Sequence, residues 1–294
     1  MIAPKKSNTM AVIIWYEPSD CVYENIDRIL MEFERIAVIS NGPCDADKIK
    51  FAKVNNIDFI QNEINLGIAA ALNQGLKLAF ASSIEWVVFF DQDSQPTTTN
   101  FIDNLSTVLM EHATPEKIAV IGVNYHGAYN KSVFDHPEKW RNVKTVITSG
   151  SLVNVALSNK LGQFREDYFI DHVDHEFCLR ARKMNLYVLL ANFVRIKHMI
   201  GNPLIVNIFS WKITNSRHSA VRRYYSYRNL ILLTRDYLMF DPNFCKRELY
   251  INFKIIFKIL LFENDKFLKI KYVCKGLYDG LMGVSGPIKF KSKQ

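Results

Sequence analysis

WVVFFDQD, residues 86–93, is a run of five apolar side chains that ends on two carboxylates separated by one residue. Trp86 to Phe90 offers no polar position to either face, which is the pattern of a strand buried on both sides of a parallel sheet. Asp91 and Asp93 then fall at its C-terminal edge, and in an open α/β sheet ligands bind at that edge. Acidic groups at i and i+2 in such a place suit a hard divalent cation shared with phosphate oxygens. The stretch therefore predicts an α/β fold with a mostly parallel central sheet, acting on a nucleotide diphosphate. By itself the same three-letter word also describes a surface turn, so its neighbours have to carry the reading.

Upstream, strand and helix alternate. Residues 11–15, 36–39 and 57–61 read as strands, and 22–34, 45–54 and 68–80 as helices, the last with Ile68, Leu72, Leu76 and Ala79 on one side. Three such units make half of a nucleotide-binding sheet. Downstream, 101–111 reads as a helix and 118–123 as a strand, while 124–142 is polar and aromatic without periodicity and is a candidate acceptor-side loop. Residues 143–147 lead into Thr148, Ser149, Gly150 and Ser151, small residues that let a ligand approach the backbone. Further on, Phe177, Ala181 and Met184 mark the apolar face of a helix. Asp174 stands in its first turn, where the helix dipole favours a carboxylate.

The chain of 294 residues, 49% of them hydrophobic, has material for one α/β domain and an appendage. Five cysteines without a CxxC pair or a Cys/His cluster point to reduced thiols and a cytosolic setting, and away from zinc. No secretory h-region precedes the first strand, and no apolar run of about 18 residues predicts a spanning helix. Charge is uneven. Residues 211–294 hold 17 Lys or Arg against 6 Asp or Glu, a balance of +11, which leaves 20 against 23, or −3, for residues 1–210. Within that basic third, INFKIIFKILLF (251–262) sets Lys254 and Lys258 four apart in an apolar helix, and Lys266, Lys269, Lys271 and Lys275 follow. Such a helix suits the surface of an anionic leaflet. A solvated lysine face over a core or a homodimer contact fits the pattern equally. RRYYSYRN (222–229) interleaves cations and aromatics as single-strand binders do, yet no nucleic-acid recognition module surrounds it. A helix beside the active site that offers cations to a diphosphate or an anionic acceptor is the better reading, and no nucleic-acid partner is expected.

Five stretches in order, NLGIAAALN (65–73), DQDS (91–94), TSGSLVN (148–154), FREDYFIDHVDHEFCLR (164–180) and HMIGN (198–202), together resemble family 2 glycosyltransferases. Within that family they are most similar to the bacterial rhamnosyltransferase branch that builds O-antigen and capsular polysaccharides. The resemblance implies a GT-A fold, a nucleotide-sugar donor, Mg2+ or Mn2+, and an inverting single displacement. It further implies transfer of rhamnose from dTDP-rhamnose to a lipid-linked oligosaccharide, by a peripheral enzyme at the inner face of the plasma membrane. Residues 1–210 would form the catalytic domain, with a nucleotide half over 10–123 and an acceptor half over 124–210, and 211–294 a C-terminal helical region for a membrane surface or a homodimer.

Carried over residue by residue, Asp93 matches the metal-binding aspartate, with Asp91 supporting the metal or the sugar nucleotide and His198 closing on the metal or pyrophosphate. Asp174, with Asp171 as second choice, takes the place of the general base. Tyr16, Glu17, Asn41, Asn65, Gly67, Asn73, Asp91 and Gln92 fall on the donor side, and Ser149 and Gly150 on the acceptor side. The chain departs from the commoner pattern at Ser40 and Asn41, where many relatives have an aspartate for the base, and at Val173-Asp174, where many have Glu-Asp. The alternatives are another donor, a UDP-hexose or galactofuranose, and a binding protein that kept the fold without turnover.

Overall fold

The computed structural model describes residues 2–126, 136–198, 204–208, 211–215 and 218–288. Residues 127–135 of the expected acceptor-side loop and 199–202 of HMIGN lie outside them. A first half-sheet runs β1 (Thr9–Trp15), α1 (Cys21–Leu30), β2 (Arg35–Ser40), α2 (Ala46–Val54), β3 (Asp58–Gln61), α3 (Ile68–Ala81) and β4 (Trp86–Asp91). Its strands are parallel in the order β3-β2-β1-β4. β1 is buried at every position and β4 at all but its last, as strands covered on both faces must be.

The sheet then turns mixed through β5 (Ser94–Pro96), α4 (Phe101–Glu111), β6 (Ile118–His126), β7 (Trp140–Asn142), β8 (Leu152–Asn154), α5 (Val155–Leu161), α6 (Val173–Lys183) and β9 (Tyr187–His198). β8 lies antiparallel between β4 and β6, and β6 runs parallel to β9. β7 and β5 pair antiparallel with β9, the latter in a register that sets Ser94 opposite His198. The twelve-residue β9 therefore carries a histidine back to the end of β4 from more than a hundred positions away in sequence.

Three expectations change. The strand after residue 118 continues to His126, and Trp140–Asn142 forms a short strand inside the stretch read as aperiodic. α1 stops at Leu30, because the chain turns inward there to bury Phe33. Met184 lies beyond α6 and half exposed, next to the left-handed Asn185 that ends the helical path. The early end of α1 frees Glu32 for another task. Its carboxylate accepts from the backbone of Asn100 at 3.2 Å and of Phe101 at 2.9 Å, satisfying donors at the start of α4, which has no side-chain cap of its own. Glu32→Ala is expected to cost about 1 kcal/mol of stability, read from the urea midpoint.

All of this belongs to one compact unit, Met1–Arg165 with Asp174–Met199; a second comprises Glu166–Val173 and Ile200–Gln294. The second unit includes two strands, β10 (Leu204–Ile208) and β11 (Trp211–Asn215), which pair antiparallel with each other. The second unit also holds three helices among its described residues: α7 (Ala220–Tyr237), α8 (Pro242–Phe262) and α9 (Lys266–Leu281). α9 presses its Gly276 and Gly280 onto the backbone of α7 at Tyr224 and Arg228, where a Cβ would collide with main-chain atoms. Among the described residues no helix is long and apolar enough to cross a membrane.

Candidate active site

β4 presents Asp91 at its last position, and Asp93 follows two residues later just before β5. His198 at the end of β9 meets both: Nε2 lies 3.7 Å from Asp91 Oδ2 and Nδ1 lies 3.3 Å from Asp93 Oδ1. One donor atom from each of the three falls within 4.8 Å of the others. Burial pushes the imidazole toward its neutral form, but the hydrogen bond to Asp93 and the charges of Asp91 and Asp93 outweigh it, so the pKa of His198 is raised. Two carboxylates and an imidazole converging this closely fit a divalent cation that accepts oxygen and nitrogen ligands. A hydroxyl chain orders the histidine from behind. Ser94 Oγ is 2.6 Å from His198 Nδ1, Ser149 Oγ donates to Ser94 Oγ at 2.8 Å, and Ser149 Oγ also accepts from the backbone of Asp91 at 3.2 Å. Ser149, expected on the acceptor side, is thus a buried strut of the carboxylate cluster. Gly150 next to it donates its N–H to Phe89 O at 2.7 Å, tying the turn to β4.

The donor-side residues divide into exposed and structural ones. Tyr16 and Glu17 are exposed beyond β1, and Glu17 holds a left-handed φ of 48°. Gln92 tethers this edge, since its Oε1 accepts from Tyr16 N at 2.8 Å and its carbonyl accepts from Asn25 Nδ2 at 2.8 Å. Asn41 is buried, and its Oδ1 accepts from Leu66 N at 3.0 Å and Asn62 Nδ2 at 3.2 Å while its Nδ2 donates to Asn65 Oδ1 at 2.9 Å. Asn65 Oδ1 in turn accepts from Gly67 N at 2.8 Å. Gly67 opens α3 with φ +88°, a conformation that a side chain would strain. Asn73, also buried, bonds both polar backbone groups of Phe164 at 2.9 Å. Asn41, Asn65 and Asn73 therefore shape the loop that opens α3 and its surroundings through their side chains. Asn62 and Gln74, whose side-chain amides exchange two hydrogen bonds of 3.0 and 2.8 Å, complete the same network and carry no motif of their own.

On α6, Glu176 is buried and held by Arg180 at 2.9 Å, and that guanidinium also donates to the carbonyls of Leu161, at 2.6 Å, and Gln163. Asp174, in the first turn, is only partly buried and lines a crevice with Thr148, Ser151, Phe164, Phe177 and Cys178. The Thr148–Ser151 turn thus reaches both acidic positions, Ser149 toward Asp91 and its two ends toward Asp174. Burial pushes the Cys178 thiol up to about 12, which makes it a packing group.

The glycosyl transferase family 2 model matches residues 11–187, which takes in β1 to the start of β9 with the carboxylate cluster and α6. The chain belongs to glycosyl transferase family 2. This glycosyltransferase is 28% identical over 95% of its length, and 97% of the relative's, to dTDP-rhamnosyl transferase RfbF of Shigella flexneri. Its fold is GT-A, as in two solved structures. GalNAc-T7 with UDP, GalNAc and Mn2+ matches at TM-score 0.58 and 10% identity over 78% of this chain. S. aureus TarS 1–349 with UDP matches at TM-score 0.55 and 15% identity over 94% of this chain and 72% of TarS. This chain spans 47% of the GalNAc-T7 chain.

In the second unit of this glycosyltransferase, Asp171 sits with φ +64° and is gripped by Arg222, Nη2 to Oδ1 at 3.0 Å and Nε to Oδ1 at 3.2 Å. Burial pushes its carboxyl up, but the Arg222 charge and hydrogen bonds, with His218 and His172 adding to them, hold it below the usual range. A carboxylate stabilised in that way is a weak base. The loop around it is strained, with Phe169, Asp171 and His172 all left-handed, and RRYYSYRN holds it in that state. Asn229 Nδ2 reaches the carbonyls of Tyr168, Ile170 and Asp171 at 2.8, 2.8 and 3.0 Å, Arg228 Nη2 those of Asp167 and Tyr168 at 3.0 and 3.1 Å, and Tyr225 stacks on Phe169. Arg223 is buried against Glu263 at 2.7 Å. The expected cations for a diphosphate are thus committed inside the fold at Arg223 and Arg228, and the motif acts as a loop clamp. Asn229→Leu is expected to cost about 2–4 kcal/mol, because it strands buried carbonyls, and chemical denaturation measures the loss.

Proposed function

We propose that this glycosyltransferase moves rhamnose from dTDP-rhamnose, with inversion, to a hydroxyl of a lipid-linked oligosaccharide in cell-surface polysaccharide synthesis. The observation that carries a nucleotide-sugar reaction is the convergence of Asp91, Asp93 and His198 at the C-terminal edge of β4; the donor is supported by the relative from Shigella flexneri. Asp91, Asp93 and His198 hold Mg2+ or Mn2+ in this reading. When bound, the cation supplies Lewis-acid stabilisation of the charge that grows on the departing diphosphate. Tyr16 lies exposed at the strand edge for the base, Gln92 fixes that edge, and Asn41, Asn65 and Gly67 aim the first turn of α3 at the phosphates. Asp174 accepts the proton of the acceptor hydroxyl as its oxygen bonds to the anomeric carbon and the bond from that carbon to dTDP breaks. The enzyme works at the cytoplasmic face of the membrane, where a lipid-linked acceptor is presented.

Incubation with dTDP-rhamnose, UDP-glucose, UDP-galactose and UDP-galactofuranose, each with Mg2+ or Mn2+, tests the donor. Rhamnose transfer with an inverted anomeric centre is expected to exceed the others by at least about tenfold in kcat/KM. Turnover of a UDP-sugar without turnover of dTDP-rhamnose would sink the assignment.

A further inference from the structure

The lysines that the sequence sets in one basic helical region part company in the folded second unit. Lys269 is buried against Glu263 at 2.8 Å and serves the interior, while Lys275 pairs from an exposed position with the buried Asp279 at 2.7 Å. α8 buries Phe244, Cys245, Glu248, Asn252 and Ile259, which the helical repeat places along one side. The side opposite carries Tyr250, Phe253, Phe257 and Leu261, exposed to 58%, 57%, 50% and 70%. These side chains meet one another rather than a core: Phe253 and Phe257 form an edge-to-face pair at 5.0 Å, and Lys254 Nζ stands 4.1 Å above the Tyr250 ring. Lys246 and Lys254 are exposed among them, and α9 begins with exposed Lys266 and with Phe267 at 84% exposure.

We infer that this outer face of α8, with the start of α9, docks on an anionic bilayer surface. Four large apolar groups in a row leave water only if something covers them, since contiguous apolar surface of this kind marks an interaction site. The charge decides what covers it. A second copy of this chain would bring lysine rows against lysine rows across a two-fold axis, whereas anionic headgroups neutralise them while the rings enter the headgroup boundary. α8 can lie on that surface but not cross it, because Lys254 and Lys258 interrupt its apolar length and no described helix meets the requirement for a span. The inference deepens the membrane-facing reading above and rests on it for its biological setting, while the docking itself is measured without donor or acceptor.

The test is cosedimentation of the full chain with vesicles of phosphatidylcholine and with vesicles in which about a quarter of the lipid is phosphatidylglycerol. Binding to the anionic vesicles, weakened by salt and much weaker on neutral ones, is the expected result. Phe253→Ser with Phe257→Ser should lower vesicle affinity at least about tenfold. Lys254→Gln with Lys266→Gln should lower it about 25-fold, near fivefold per charge. dTDP binding, measured alongside, should be unchanged in both pairs; its failure in every form of the protein would speak against the donor reading and leave the docking result standing. Absence of sedimentation with anionic vesicles overturns the inference. So does an aromatic pair that sediments like the parent, or a stable dimer by light scattering that the same aromatic substitutions dissociate.

Discussion

Asp174→Asn lowers the rate of sugar transfer by about a thousandfold and leaves the affinity for dTDP-sugar within about twofold of the parent. The expectation follows from how α6 treats its two first-turn acids. Glu176 is spent on Arg180 in the interior, so it cannot serve an incoming hydroxyl without breaking a buried pair. Asp174 is partly exposed in a crevice shared with Thr148 and Ser151, and its Oδ1 takes the adjacent backbone N–H of His175 at 2.8 Å. That leaves acceptor capacity for a substrate proton on a carboxylate fixed in direction. Asparagine keeps the shape and the hydrogen-bonding oxygen but cannot take a proton, so the loss should fall on kcat while donor binding, measured calorimetrically, stays put. Parent-like turnover in Asp174→Asn would remove it from the reaction, and comparable loss in Asp171→Asn with unaltered stability would restore that residue as the base.

Asp93→Ala abolishes the response to Mn2+ and lowers kcat/KM on the order of a hundredfold to a thousandfold. Asp93 is the carboxylate nearest to His198, and its removal takes one carboxylate from the three-residue cluster and one anchor from the imidazole. Asp91 and the Ser94–Ser149 chain remain, so the sheet edge itself should stand, and the melting temperature of the metal-free protein is the control. Calorimetric titration of dTDP with and without Mn2+ reads the effect apart from catalysis. In the parent, Mn2+ should tighten dTDP binding and chelation should reverse the gain; in Asp93→Ala the two titrations should coincide. A parent whose dTDP affinity ignores Mn2+ would refute the cation site.

The places of Asp93 and Asp174 in the fold were legible from residues 86–93 and 164–180 because each stands beside a strong local signal. Five apolar residues in succession fix β4 and its end, and the apolar spacing of Phe177 and Ala181 fixes the helix on whose first turn Asp174 lies. The same kind of signal found α4 at both ends. It misjudged α1, since nothing local says that Phe33 turns inward and that Glu32 serves another helix. It also could not show which side-chain partners the motif residues take. Asn41, Asn65 and Asn73 stand in family-like words, yet their amides are occupied by Asn62, Leu66, Gly67 and Phe164, partners distant in sequence or hidden in loops.

Periodicity and composition determined the alternating α/β half, the acidic edge of its sheet and the basic C-terminal third, because those features depend on neighbours within a few residues. Tertiary structure decided that His198 joins Asp91 and Asp93, that Ser149 braces them, that RRYYSYRN clamps a strained loop, and that Lys269 turns inward while Lys254 faces out. Each of these depends on which distant segment lies opposite, and that is set by strand register and helix packing across the whole chain, energies that no short window of sequence contains.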